Sequence, residues 1–203
     1  MSIGEIAILG AGMHPWGKFV GKSFVDLGVH AARAALSDAD VDWDEIQFVS
    51  GANTVRNGYP GWVSASTFAN ALGFQGAQLA SSYAACASGV TALSIARAQI
   101  LSGICDVALV VGADQVPKGM FAPVPGDRPQ DVDWLRFRLL GLSNPAYFGL
   151  FARRRMALFG DTEEDFAAVK VKNSIHGSKN HNARFTKTFT KEDVEASPIV
   201  ADP

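Results

Sequence analysis

The sequence predicts an α/β fold in which a mostly parallel mixed sheet carries helices on its faces and is followed by a loop-rich helical cap. Short β-type segments alternate with helical patterns through residues 5–113, which is the rhythm of βαβ units with right-handed crossovers. Hydrophobic residues make up 48% of the 203 residues and charged residues 19%, a globular composition. The alternation then stops. We therefore expect an α/β core over residues 1–116 and a cap over residues 117–203.

The core is predicted to contain four strands and three helices. The strands are expected at residues 5–9, 47–52, 77–83 and 106–113, and the helices at 24–39, 62–72 and about 87–102. Ser23 stands directly before the first helix, and Asp26 follows three residues later. That spacing is typical of a capping box, in which two side chains satisfy the free amides of a helix start.

The cap is predicted from a change in composition. Five of the nine prolines lie between residues 117 and 145, and proline interrupts both helices and strands. Helices are expected again at 145–159 and, after Thr162 as N-cap with Asp165 at the capping-box position, to about residue 175. The polar residues 180–203 are expected to be irregular.

Charge and hydropathy exclude several classes of partner. The net charge is −2, so no polyanion-binding surface is expected and nucleic acid is not a predicted partner. The longest apolar runs are far shorter than a membrane span. The first residues lead into a strand pattern without the basic start of a signal peptide. Cys86 and Cys105 form no CxxC or metal-ligand spacing, which favours a reducing, cytoplasmic compartment.

The third helix differs from the first in composition. Arg97 is the only charged residue between residues 87 and 103, whereas the first helix carries a plain polar stripe. A helix that is apolar or small nearly all round belongs in an interior, with neighbours on more than one side. We therefore expect the third helix to be sandwiched between two layers.

Cys86 lies at the predicted turn from the third strand into this helix. The first amides of a helix have no internal partners and the helix dipole adds partial positive charge, so both effects favour a thiolate. A cysteine in this place can act as a nucleophile, and the same amides can donate to a developing oxyanion. Position alone leaves open that Cys86 is a small buried residue in a tight turn. Cys105, ahead of a strand of Val, Ala and Leu, is interpreted as a packing residue.

Residues 86–114 resemble the nucleophile segment of thiolases. They contain CASG at 86–89, GICD at 103–106 and VVGAD at 110–114. Further runs resemble the sterol-carrier-protein-x and lipid-transfer branch of the same superfamily: ARRRM at 152–156, FG at 159–160, AAV at 167–169, KN at 172–173, FTK at 185–187, EDV at 192–194 and ADP at 201–203. Over nearly its whole length the chain resembles the N-terminal half of such a thiolase.

This resemblance implies an acyl-CoA acyltransferase of lipid or steroid side-chain metabolism. In the family, the cysteine takes an acyl group from a CoA thioester, and free CoA or a second acyl-CoA then attacks that group. Cys86 is the implied nucleophile, and Gly89 an implied substrate contact. Thiolases often carry His-Met-Gly near the start of the cap, where Tyr147 and Phe148 precede a glycine here, so these two are implied substrate contacts. The CoA thioester is the substrate, and neither a further cofactor nor a metal is implied.

The second half of a thiolase is not found in this sequence. In the family that half supplies a His, an Asn-containing motif and a second Cys that serves as acid and base. The histidines here are expected to be solvated surface residues: His14, His30, His176 and His181. A sandwiched helix without its second layer would expose a large apolar face, which monomers avoid. We therefore expect either a homo- or hetero-oligomer with a chain that supplies the C-terminal half, or a chain that is one piece of a divided or truncated enzyme.

Other interpretations compete with this one. Residues 10–12 (GAG) begin like a dinucleotide fingerprint, but Pro15 stands where the third glycine is required. The arginines at 153–155 can meet CoA phosphates or lie on a solvated helix face. Some lipid-transfer-type relatives cleave β-hydroxyacyl-CoA thioesters by retro-aldol chemistry, commonly with an OB-fold (DUF35-like) partner subunit and without a cysteine nucleophile. A non-catalytic scaffold subunit is a third alternative.

Overall fold

The computed structural model describes residues 6–54, 63–115, 130, 132, 135 and 144–201. The chain forms two compact units, Met1–Val116 and Pro117–Pro203. In the first unit, helices α1, α2 and α3 cover Phe24–Ala39, Ser64–Leu72 and Ser88–Leu101, and strands β1, β2 and β3 cover Phe48–Ala52, Gln78–Ser82 and Ala108–Gly112. Short 3-10 turns cover Trp43–Glu45 and Ala85–Ala87.

The three strands form a parallel sheet in the order β2-β1-β3. Every residue of the central strand β1 is buried, as expected where helices cover both faces of a parallel sheet. In the register, Ala52 lies beside Ser82 of β2 and Gly112 of β3. All three strands therefore end at the same edge of the sheet, and the predicted α/β class is confirmed.

Helices α1 and α2 cover one face of the sheet. Val49 and Val111 of the sheet pack there with Ala32 of α1 and Phe68 of α2. Gly28 lies so close to the Phe68 ring that a Cβ atom at this position would clash with it. The missing side chain at residue 28 therefore lets the two helices approach each other.

Helix α3 covers the opposite face of the sheet. Ala96 of α3 packs with Phe48 of β1 and with Cys105, and these three form a second buried cluster. Small residues along this side of α3, Ala92 at 0% and Ala96 at 3% exposure, bring the helix close to the strands. The sheet is thus the middle layer of a three-layer α/β/α arrangement.

Helix α1 begins where its capping box predicts. The Ser23 hydroxyl accepts from the Asp26 N–H at 3.2 Å, and the Ser23 N–H donates to Asp26 Oδ2 at 2.7 Å. The backbone hydrogen bond from Ser23, followed by the one from its side chain, lowers the pKa of Asp26. The ionised carboxylate is therefore favoured by the fold at the helix start.

The predicted first strand at residues 5–9 is wrong for the part that the structure describes. No strand forms there, and Ile8 and Leu9 are 77% and 60% exposed. A strand needs a neighbour for its amides and carbonyls, and within the described residues the sheet contains only β1, β2 and β3. Gly10 and Gly12 instead lie against the backbone of α1, where a Cβ atom on either would clash.

The second unit is helical over its described part. Helices α4, α5 and α6 cover Asn144–Phe159, Glu163–Ser178 and Lys191–Glu195. Thr162 and Asp165 form the predicted capping box at the start of α5. Helix α6 corrects the expectation of an irregular tail, because Thr190 and Asp193 form a further capping box. The proline-rich segment lies largely outside the described residues, and none of the described helices combines the length and hydropathy of a membrane span.

Candidate active site

Polar groups gather where the parallel strands end. Asn53 follows β1, Asp114 lies two residues after β3, and the Ala85–Ala87 turn that contains Cys86 follows β2. In parallel α/β sheets, ligands bind outside the carboxyl ends of the strands. The candidate site of the first unit is therefore this edge.

Cys86 is the exposed cysteine of the chain. It lies in the Ala85–Ala87 turn, which runs directly into α3 at Ser88. Ala85, the residue before it, has a φ of 48°, in the left-handed region that non-glycine residues rarely adopt. Cys86 therefore lies at the turn from strand to helix, as the sequence predicted. Because its side chain is exposed, Cys86 is not the buried packing residue of the alternative interpretation.

Two amides of this turn already have partners. The Ala87 N–H donates to the Ala84 carbonyl oxygen at 2.9 Å, and the Ser88 N–H donates to the Ala85 carbonyl oxygen. Neither group is therefore available to a bound oxyanion while the turn keeps this shape. The sequence predicted that the first amides of the helix donate to an oxyanion, and these two hydrogen bonds leave fewer amides free to do so.

Cys105 lies at the other end of α3 and is buried, with 5% of its surface exposed. Burial raises the pKa of the Cys105 thiol, and the negative charge of Asp106 raises it further. Both effects keep the thiol protonated. The burial agrees with the interpretation of Cys105 as a packing residue.

Helix α3 has one buried and one exposed side. Ser88, Ala92 and Ala96 face the sheet and are buried. The opposite side leaves apolar side chains in contact with solvent, at 66% for Val90, 46% for Leu93, 42% for Leu101 and 51% for the following Ile104. Within the described residues, α3 therefore has one of its two predicted covering layers, which is the sheet.

The other predicted site residues lie on two helices. Gly89 is exposed in the first turn of α3, where a Cβ atom would meet nothing within 4 Å. Tyr147 and Phe148 lie on α4 in the second unit and are 45% and 66% exposed. The centroid of the Phe151 ring lies 4.9 Å from the centroid of the Tyr147 ring and 6.1 Å from that of the Phe148 ring. Gly89 lies three residues after Cys86 at the start of α3, and the substrate contacts of Gly89, Tyr147 and Phe148 stay predictions.

The histidines lie mostly where the sequence places them. His30, His176 and His181 are exposed. His14 is half-buried instead, because its ring packs edge-on against Phe19 and His30, with centroids 4.6 and 4.8 Å away. Across the described ranges, no group of three or more His, Cys, Asp or Glu side chains could hold a metal ion.

The arginine run on α4 is largely a helix surface. Arg155 forms an ion pair with Asp161, and its guanidinium lies 5.3 Å from the centre of the Phe159 ring. Arg153, Arg154 and Arg155 are all exposed. Because Arg155 already has an anionic partner, the solvated-face interpretation fits this residue better than a phosphate contact does.

Sequence analysis missed two buried polar residues of this edge. Asn53 is 1% and Ser88 is 3% exposed, and the Ser88 hydroxyl lies 2.8 Å from the Asn53 carbonyl oxygen. Ser88 belongs to the CASG run that marked the nucleophile segment, so the sequence already indicated that it lies close to Cys86. The partnership with Asn53, 35 residues away, depends on the fold and has no local signal.

These features define an α/β protein with an exposed cysteine where a sheet strand turns into a covering helix. The chain belongs to the family described as thiolase, N-terminal domain, whose model matches residues 6–202. The predicted family is therefore confirmed.

Two curated relatives support this membership. The acetyl-CoA acetyltransferase of Methanothermobacter thermautotrophicus is 28% identical over an alignment of 210 positions, gaps included, which covers 98% of this chain and 52% of the relative. Sterol carrier protein 2 of Bos taurus is 26% identical over an alignment of 212 positions, which again covers 98% of this chain but 38% of the relative. The chain thus spans about half the length of these relatives or less.

The fold also matches a solved structure. The structure of an Ltp2-ChsH2(DUF35) aldolase superposes with a TM-score of 0.74 at 24% sequence identity. The match covers 97% of this chain and 50% of the aldolase chain. At this identity the match shows the shared fold.

Proposed function

We propose that this chain is the N-terminal half of a thiolase-type acyltransferase in which Cys86 carries the acyl group. The Cys86 thiolate attacks the thioester carbonyl carbon of an acyl-CoA, and the new carbon–sulfur bond replaces the bond to CoA. The CoA leaves and takes a proton from an acid of the second half. Free CoA or the enolate carbon of a second acyl-CoA then attacks the acyl-cysteine and releases Cys86.

The observation that carries this proposal is the exposure of Cys86 at the start of α3. A sulfur nucleophile has to reach a carbonyl carbon, which a buried thiol cannot do. Cys86 also lies directly before the amino end of a 14-residue helix, whose partial positive charge can stabilise an anionic intermediate. Membership of the thiolase family supports the same chemistry.

Membership of the thiolase family supports a proposal for the substrate class. A CoA thioester is the proposed acyl donor, and the reaction needs no further cofactor. The relative named acetyl-CoA acetyltransferase supports a CoA thioester as the donor, and the relative named sterol carrier protein 2 supports the proposal of an acyl chain of lipid or steroid origin. Gly89, Tyr147 and Phe148 are the proposed substrate contacts, and a cytoplasmic location is proposed from the two unpaired cysteines.

A second protein half is proposed to cover the exposed side of α3. Val90, Leu93 and Leu101 form an apolar stripe there, and burying such side chains from water is favourable by about 25 cal/mol per Å² of apolar area. The curated relatives contain a further stretch of comparable length or more that this chain does not match. We propose that this stretch, in the same assembly, packs on α3 and supplies the acid and base.

The proposal is tested by trapping the acyl-enzyme. The complete protein is incubated with acetyl-CoA, quenched in acid and digested, and the peptide that contains Cys86 is weighed by mass spectrometry. One added acyl group on that peptide is expected, and Cys86→Ser is the control that should remain unmodified at this site. An unmodified peptide in a protein that turns over CoA thioesters would overturn the proposal.

A second candidate function is retro-aldol cleavage of a β-hydroxyacyl-CoA. The structural match to an aldolase that contains a DUF35 component favours it, together with a partner subunit of OB-fold type. This reaction breaks a carbon–carbon bond and does not require Cys86. It predicts an active Cys86→Ala variant, whereas a scaffold subunit predicts no turnover in either form.

A further inference from the structure

A buried hydrogen-bond network lies directly beneath the turn that carries Cys86. The Ser88 hydroxyl accepts from the Ala84 N–H at 2.9 Å. The same oxygen lies 2.8 Å from the Asn53 carbonyl oxygen and 2.7 Å from that of Ala85, and its single proton can serve either acceptor. The Ser88 hydroxyl therefore connects Ala84 and Ala85, the two residues before Cys86, with Asn53, which follows β1.

The side chain of Asn53 extends this network to the rest of the sheet edge. Its amide nitrogen donates to the Ala113 carbonyl oxygen after β3, and its amide oxygen accepts from the Ser64 hydroxyl at the start of α2. The Asn53 N–H donates to the Ser82 carbonyl oxygen of β2 at 3.2 Å. Asn53 thus connects all three strands and α2 beneath the turn.

The turn itself needs support of this kind. Ala85 has a φ of 48°, and the left-handed region costs a residue with a Cβ atom roughly 1–2 kcal/mol. Such a conformation persists where surrounding contacts determine it. The Ser88 hydroxyl contacts the backbone on both sides of the peptide bond between Ala84 and Ala85.

We propose that Ser88 and Asn53 are positioning residues that hold the Cys86 turn in its reactive conformation. This inference rests on the proposed role of Cys86 as nucleophile. Neither side chain needs to touch the substrate, because both are buried. Displacement of a reacting group by about 1 Å can cost about a hundredfold in rate, so loss of the Ser88 hydroxyl should slow reactions at Cys86 without weakening substrate binding.

Ser82 offers a matched control for Ser88. It is the last residue of β2 and is 4% exposed. Among the described residues, its hydroxyl has no hydrogen-bond partner. Its removal therefore breaks no contact of the network, although the residue is equally small and buried.

The experiment compares Ser88→Ala, Ser88→Thr and Ser82→Ala in the complete enzyme. The readouts are the rate at which iodoacetamide alkylates Cys86, the kcat and KM for acyl-CoA, and the melting temperature. Ser88→Ala should slow alkylation and lower kcat by about tenfold or more with little change in KM. Ser88→Thr should recover much of both rates, and Ser82→Ala should match the wild type.

Wild-type rates in Ser88→Ala, or an equal loss in Ser82→Ala, would overturn the inference. If Ser88→Ala does not fold, Asn53→Leu replaces it, because this change removes the side-chain hydrogen bonds to Ala113 and Ser64 and keeps a branched side chain of similar size without adding a charge. Slow alkylation in Asn53→Leu supports the inference, and a wild-type rate contradicts it. Since alkylation needs no acyl transfer, an inactive wild type with slowed alkylation in Ser88→Ala refutes the proposed function and leaves the positioning role supported.

Discussion

The two ends of α3 place the same chemical group in opposite surroundings. At the amino end Cys86 is exposed in a 3-10 turn after β2. Beyond the carboxyl end Cys105 is buried among Phe48 and Ala96. Burial and the charge of Asp106 raise the pKa of Cys105, so that its thiol stays protonated.

This difference shows that the fold, and not the residue type, assigns the chemistry. A thiol reacts when it is accessible and ionised, and a buried thiol behaves as a small apolar group. The turn around Cys86 also has a left-handed alanine and buried polar support, whereas Cys105 packs into a cluster of apolar side chains. The first end has the features of a site, and the second those of a core.

The largest expected effect separates the two cysteines by activity. In the complete enzyme, Cys86→Ala should lower the rate of acyl transfer by about a thousandfold or more, because the proposed acyl-cysteine cannot form without the thiol. Cys105→Ala should keep most of the activity, because its thiol does not reach solvent. Steady-state assays with acetyl-CoA measure both, and equal losses in the two variants would remove the distinction.

A stability measurement probes the packed end. Ala96→Leu should destabilise the protein by about 1–3 kcal/mol, because a larger side chain has to enter the cluster of Phe48 and Cys105. Ala71→Leu, at an exposed position of α2, serves as the control and should change the free energy of unfolding by less than about 0.5 kcal/mol. Urea denaturation distinguishes the two. A tolerated leucine at position 96 would mean that this end is loosely packed.

A glycine substitution probes the strained end. Ala85→Gly should stabilise the fold by up to about 1 kcal/mol, because glycine adopts a positive φ without the clash of a Cβ atom. Ala84→Gly, at a φ of −112°, should instead destabilise it by roughly 0.5–1 kcal/mol. Thermal unfolding of both variants tests this. A destabilised Ala85→Gly would indicate that the turn is not strained.

The smallest effect is a pH dependence of stability at Cys105. Its pKa is raised in the folded state, so the contribution of this thiol is fully present below the unfolded pKa of about 8.5 and is lost as pH rises through the folded value. The wild type should therefore lose slightly more stability between neutral and alkaline pH than Cys105→Ala. Urea midpoints of both proteins across that range measure it, and parallel curves would contradict the expected difference.

Sequence patterns predicted the elements whose signals are local. The capping boxes at Ser23 and Thr162 located the starts of α1 and α5, because a cap and its partner lie three residues apart. Alternation of apolar segments located β1, β2 and β3 within two residues of their observed ends. The CASG run located the turn that carries Cys86.

What the sequence did not predict depends on neighbours in space. Residues 5–9 have a strand pattern, but a strand forms only where another strand pairs with it. The apolar composition of α3 predicted two covering layers. Within the described residues the sheet is one of them, and the opposite side of the helix remains exposed. The network of Asn53 and Ser88 joins segments 35 residues apart, a pairing that no periodicity indicates.

The most direct test of the account is differential alkylation of the two cysteines. Native protein is treated with iodoacetamide near neutral pH, with and without acetyl-CoA, and the modification of each cysteine is followed by peptide mass spectrometry. Cys86 should react much faster than Cys105, and acetyl-CoA should protect it. Equally slow modification of both thiols, with no protection by acetyl-CoA, would contradict the assignment of Cys86 as the nucleophile.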